Sequence, residues 1–120
     1  MLKVFDSYKK SLGRLKEIMK EAKTPANRDS AIKRFELTYE LARKSIQKYL
    51  NEKGIVAIAP KDCFMEAFRM GLIKDDPKWL QMIKDRNNAV HTYSESLAKE
   101  IYGKIGGYIA LFEELKNVLL

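Results

Sequence analysis

Apolar residues recur every three or four positions along most of this chain, the period of a helix with one buried face. No segment sustains the period-two alternation of a strand. Phe5, Tyr8, Leu12, Leu15, Met19 and Ala22 form the first seam and predict a helix over about residues 2 to 22. Thr24-Pro25 then supplies an N-cap followed by proline at the first helical position. A second helix is predicted from about Pro25 to Glu52, with the seam Ile32, Phe35, Tyr39, Ala42, Ile46 and Tyr49. At about 1.5 Å per residue it is some 40 Å long, and its short connection to the first helix implies an antiparallel pair.

Gly54 ends this helix, and Ile55 to Ala59 form an apolar connector. Pro60 opens a short helix through Met70, with Phe64, Ala67 and Phe68 inward and Gly71 as the stop. Asp75 or Asp76 caps the next helix, with Pro77 in its first turn. That helix carries Trp79, Met82, Ile83, Val90 and Tyr93 in one stripe. Thr92-x-x-Glu95 fits a capping box and Ser94 is an equally good cap, so a helix boundary falls near residues 91 to 94. The last helix is predicted from about Glu95 to Leu119, with the seam Leu97, Ile101, Ile105, Tyr108, Phe112, Leu115 and Leu119. Gly103, Gly106 and Gly107 within it mark either a close helix approach or a kink. The expected architecture is all-α: an up-and-down bundle of four long helices plus one short helix, in a single domain spanning residues 1 to 120.

The fourth helix breaks its own pattern. Arg86 lies in the apolar stripe, seven residues after Trp79 and seven before Tyr93. A guanidinium there is costly unless it is paired, with Glu36 or Glu40 of the second helix as candidates, or faces a wet cleft. His91, the only histidine, follows five residues later, and Tyr93 two after that. Histidine titrates near neutral pH and suits proton transfer, and arginine grips phosphate with two donors. Metal-free RNA cleavage needs both, to move protons and to stabilise a charged phosphorane. On an unbroken helix Arg86 and His91 point about 140° apart, so a second copy of the chain, related by a two-fold axis, would help to assemble them. The plainer alternatives are a structural or capping histidine, an arginine paired in the core and a core tyrosine with its hydroxyl at the edge.

Composition narrows the field. The hydrophobic fraction of 46% suits a folded domain. The longest apolar run, Ile55 to Ala59, is far short of the roughly 20 residues that span a bilayer, and the first residues hold no signal-peptide core. The lone Cys63 reads as a buried thiol in a reducing cytoplasm. One histidine and one cysteine argue against a zinc site, and phosphate-loop and dinucleotide fingerprints are missing, so neither metal nor cofactor is expected. The net charge of +7 resides in residues 1 to 53, which hold 14 Lys/Arg against 7 Asp/Glu, whereas residues 54 to 120 hold nine of each. That distribution suits RNA or an acidic protein partner, or simply a lysine-rich solvated face.

Arg86-Asn87-x-x-x-His91-x-Tyr93 resembles the R-x4-H-x-Y motif of HEPN domains, with Asn87 as the polar residue after the arginine. Residues 34 to 42, Pro60-Lys61-Asp62, Glu66-Ala67-Phe68, Gly71-Leu72-Ile73 and Trp79-Leu80 are similar to the nucleotidyltransferase substrate-binding branch of that superfamily. Arg43 departs from it, standing where an aromatic, usually Trp, is expected. The resemblance implies a helical bundle that dimerises and a separate small nucleotidyltransferase partner. In related toxin–antitoxin pairs the HEPN protein is a metal-independent endoribonuclease toxin. The transferase antitoxin neutralises it, in some pairs by adding AMP to the motif tyrosine. The implied roles are catalysis for Arg86 and His91, support for Asn87 and modification for Tyr93. The alternative is a non-catalytic accessory subunit that presents substrate to the transferase; a helical adaptor without chemistry is the third reading.

Overall fold

The computed structural model describes residues 2–91 and 94–120, the side chains of Leu2 and His91 excepted. Five helices follow one another: α1 (Leu2–Ile18), α2 (Pro25–Glu52), α3 (Pro60–Arg69), α4 (Lys78–His91) and α5 (Glu95–Leu119), with no strand among the described residues. The 28 residues of α2 run the length of a body measuring 44 × 23 × 20 Å. The other helices pack along α2, so the expected all-α bundle of four longer helices and one short one is the observed fold.

The helix ends follow local chemistry. Thr24 caps α2, its hydroxyl accepting from the Asn27 N–H at 3.1 Å, and Pro25 takes the first helical position. Beyond α2 and α3 the chain turns through Gly54 and Gly71, both at positive φ (79° and 75°). In each case the next residue donates back five positions, Ile55 to Leu50 at 2.8 Å and Leu72 to Ala67 at 2.9 Å, the Schellman closure that needs a left-handed residue. Asp76 caps α4, accepting from the Lys78 N–H at 2.9 Å, with Pro77 just ahead of the helix.

Three expectations change. The first helix stops at Ile18, not residue 22, and Ala22 is exposed. Its carbonyl accepts instead from the Thr24 N–H and the Asn27 side chain, both at 2.9 Å, so the turn into α2 consumes the helix's last residues. Phe68 is 47% exposed, because a ten-residue helix buries only the narrow stripe of Cys63, Phe64 and Ala67. The α5 glycines produce neither of the expected features in full: the helix is continuous from Glu95 to Leu119, Gly103 and Gly106 face open space, and only Gly107 lies close to a neighbour, the Lys78 side chain.

The core is aromatic. Phe35 stacks on Tyr108 with ring centroids 5.4 Å apart, and Trp79 bridges Phe64 at 5.1 Å and Phe112 at 6.1 Å. Two polar contacts cross it: the Tyr8 hydroxyl donates to the Phe112 carbonyl at 2.6 Å, and Ser11 and Thr38 share a hydrogen bond of 2.7 Å between α1 and α2, whereas the buried Ser45 hydroxyl has no hydrogen-bond partner among the described residues. Burial pushes the Tyr8 phenol well above its usual range. Cys63 is fully buried and donates to the Ala57 carbonyl at 3.2 Å; burial raises its pKa, as suits an inert thiol.

Candidate functional site

Trp79 and Met82 anchor the N-terminal half of α4 in the core. The stripe then swings away from its expected path. Asp85 is buried at 3% exposure and Ala89 is half-buried, whereas Val90 is 41% exposed. Asp85 turns inward because α5 offers it two donors: the Tyr108 hydroxyl at 2.5 Å and the Lys104 ammonium at 3.4 Å. The carboxylate and the burial of the phenol together raise the Tyr108 pKa, with burial the larger cause. Sequence reasoning missed this residue. The available signal was its place in the run Trp79, Met82, Asp85, Ala89, which is as regular a helical stripe as the one chosen.

With Asp85 locked to α5, Arg86 turns towards α2. Its side chain is 35% exposed, and its Nη2 lies 3.7 Å from Glu40, one of the two carboxylates expected to pair with it. Glu36, the other, reaches Lys33 at 3.7 Å instead. Asn87 accepts from Arg86 Nη1 at 3.4 Å. The Arg86 Nε is buried and has no hydrogen-bond partner among the described residues. Glu40 is held more closely on its other side by Arg43 Nη2, at 3.0 Å. Arg43, the departure from the expected aromatic, thus sits in a chain of three charges, Arg43–Glu40–Arg86. Next to it Tyr39 is raised to about 12, first by burial and then by the Glu40 charge, with both arginines opposing.

The helix continues unbroken to His91, so the boundary falls after the histidine. The His91 side chain lies outside the described residues, as do Thr92 and Tyr93. Of the two candidate caps for α5, Ser94 takes the position, accepting from the Leu97 N–H at 3.4 Å.

A cleft of 610 Å³ opens beside this junction, between α2, α4 and the start of α5. Among the described residues its apolar surface comes from Ile32, Ala89, Val90, Ala98 and Ile101. Its polar surface comes from Arg28, Asp29, Lys33, Glu36, Ser94 and Glu95.

A helical bundle that carries Arg86 and Asn87 on α4, in a sequence that continues through the rest of the motif Arg86-Asn87-x-x-x-His91-x-Tyr93, defines the HEPN class. Residues 3–120 match the family described as nucleotidyltransferase substrate binding protein like, and the chain belongs to that family. It is similar to a probable ribonuclease HepT from Haemophilus influenzae, 36% identical over 96 residues. That match takes in 72% of this chain and 66% of the relative, just under two thirds of its length. A crystal structure from Thermus thermophilus is 38% identical with a TM-score of 0.87, covering 93% of this chain and 98% of that one. A Haemophilus influenzae structure, described as revealing the fold of a substrate binding domain of a nucleotidyltransferase, is 26% identical with a TM-score of 0.74. It is matched over 97% of this chain and 93% of its own. No described helix is long and apolar enough to cross a membrane.

Proposed function

We propose that this protein is a metal-independent endoribonuclease toxin working as a homodimer, neutralised by a separate small nucleotidyltransferase. The observation that carries the reading is Arg86, a guanidinium 35% exposed whose one carboxylate contact among the described residues is the loose 3.7 Å from Nη2 to Glu40. Such a group has donors to spare for a phosphate. The similarity to a probable ribonuclease supports the same activity.

In this reading the 2′-hydroxyl of RNA attacks its own phosphate. One His91 takes the hydroxyl proton, and the leaving 5′-oxygen receives a proton from the other. Arg86 stabilises the phosphorane, and a cyclic phosphate and a free 5′-hydroxyl result. The continuous α4 supports the dimer, because positions 86 and 91 of one unbroken helix lie about 140° apart around its axis. A two-fold axis beside residues 84 to 93 supplies both groups from two chains. AMP on Tyr93 would bring a negative phosphate to compete with the substrate's for Arg86, and would block access by bulk.

Purified protein incubated with RNA tests this. Cleavage should survive a chelator and fall about 100-fold or more in Arg86→Ala and in His91→Ala. Tyr93→Phe should retain cleavage yet escape modification by the transferase with ATP and magnesium, as read by mass spectrometry. No cleavage by the wild type, with the transferase complex intact, favours the accessory-subunit reading, which the neighbour described as a substrate binding domain supports.

A further inference from the structure

The 610 Å³ cleft has no part in the steps above, and its chemistry is unlike that of Arg86. Its position comes first. Ala89 and Val90 follow Arg86 by one turn of α4, and Glu36 precedes Glu40 by one turn of α2. The cleft therefore opens about 5.4 Å along the helices from the guanidinium. A nucleotide whose phosphate rests on Arg86 would extend its base in that direction.

Charge comes second. Three carboxylates and two cations line the cleft, and both cations already face carboxylates. Arg28 reaches Asp29 at 3.4 Å and Glu95 at 3.5 Å, and Lys33 reaches Glu36 at 3.7 Å. A second phosphate would meet this acidic excess and be repelled. A neutral ring that donates hydrogen bonds would not. The floor adds the third condition: Ile32, Ala89, Ala98 and Ile101 offer a flat group an apolar surface. Glu36 stands in the wall with only 14% of its side chain exposed.

We infer that this cleft is a subsite for a nucleobase carrying an exocyclic amine, belonging to the nucleotide whose phosphate Arg86 holds. The inference rests on the ribonuclease reading for its neighbour. The amine of cytosine, adenine or guanine donates to Glu36 or Asp29, as cytosine N4 donates to acidic side chains in nucleic-acid recognition. Uracil sets two carbonyls around its single ring N–H, so it meets the carboxylates acceptor to acceptor. The volume falls within the range of about 300–1,000 Å³ usual for small-ligand sites and admits a base with its ribose.

Methyl NMR on the intact protein tests this with adenosine, cytidine, uridine and inorganic phosphate as probes. Adenosine and cytidine should shift the Ala89 and Ala98 resonances, uridine should bind roughly tenfold more weakly, and phosphate should leave both in place. Ala98→Leu, which fills the floor, should abolish the response. Glu36→Gln should bring uridine up to cytidine, since an amide can donate to a carbonyl; this variant carries the test alone if Ala98→Leu does not fold. Silence from every nucleoside overturns the inference. So do equal responses to all three in both wild type and Glu36→Gln. RNA cleavage measured in parallel separates the two readings. A selective nucleoside response without cleavage overturns the ribonuclease and leaves the cleft. Cleavage with no nucleoside response and no base preference at the cut overturns the cleft alone.

Discussion

The two antiparallel helix pairs of this bundle, α1–α2 and α4–α5, are built on different principles. Each second helix opens on a hydroxyl cap, Thr24 in one and Ser94 in the other. The α1–α2 pair then closes over Tyr8, Leu12, Leu15, Ala31 and Phe35, with one small polar contact between Ser11 and Thr38. The α4–α5 pair places a carboxylate in its seam and secures it with a phenol and an ammonium. A buried charge is a poor route to stability, since desolvation offsets much of what pairing returns. What it supplies is a fixed helix rotation. Asp85 can satisfy itself in only one orientation of α4, and that orientation turns the next residue, Arg86, towards α2 and the cleft.

Removing each polar contact would test the contrast most severely. Asp85→Ala leaves the buried Tyr108 hydroxyl without its acceptor and should cost about 2–4 kcal/mol in chemical denaturation. Ser11→Ala should cost less than about 1 kcal/mol, because Thr38 keeps its bond to the Arg34 carbonyl at 2.8 Å. Asp85→Leu combined with Tyr108→Phe removes both partners and should recover most of the stability. Equal costs for Asp85→Ala and Ser11→Ala would erase the distinction between the two pairs.

The same contrast explains what could be read from the chain beforehand. The apolar seams of α2 and α5, the caps Thr24 and Ser94 and the stops at Gly54 and Gly71 are local signals, and the structure follows them. Asp85 is not local: its partners lie 19 and 23 residues away on another helix, so its burial is invisible until α5 is in place. Period alone places Val90 and Phe68 inward, but which edge of a stripe is covered depends on the neighbour's position. Arg86 and its partner Glu40 were legible as a mismatch seeking a charge. The cleft was not, because three separated segments form its walls.

A second prediction concerns the seam where α4 meets α2. Arg43 holds one Glu40 oxygen at 3.0 Å, which keeps that carboxylate from closing fully on Arg86 at 3.7 Å. In Arg43→Ala, Glu40 is free to form a tighter pair and neutralise the guanidinium. Phosphate affinity, measured as inhibition of RNA cleavage by inorganic phosphate, should fall about tenfold, the worth of one charge-assisted hydrogen bond. Adding Glu40→Gln to Arg43→Ala should restore it. If Arg43→Ala changes thermal stability but leaves phosphate inhibition alone, Arg43 is packing for α2 and has no hold on Arg86.

The smallest effect lies at the surface, where α1 meets α5. Lys16 reaches Glu113 at 2.6 Å and Lys116 reaches its other oxygen at 3.0 Å. The hydrogen bond from Lys16 is the main reason the Glu113 carboxyl is held below its ordinary range, burial opposing it. A carboxyl with a depressed folded pKa adds stability above the unfolded value of about 4.3, and that stability is lost as pH falls through the folded value. The Lys16 side chain is 44% exposed, so water screens the pair and its worth stays below about 1 kcal/mol. Wild type should therefore lose slightly more stability than Glu113→Gln between pH 7 and pH 3, by denaturant titration at each pH. The difference should shrink in high salt, as a solvated pair requires. A pH-dependent gap of several kcal/mol would mean that the first helix pair, too, depends on a charge for its place in the bundle, and the contrast with α4–α5 would fail.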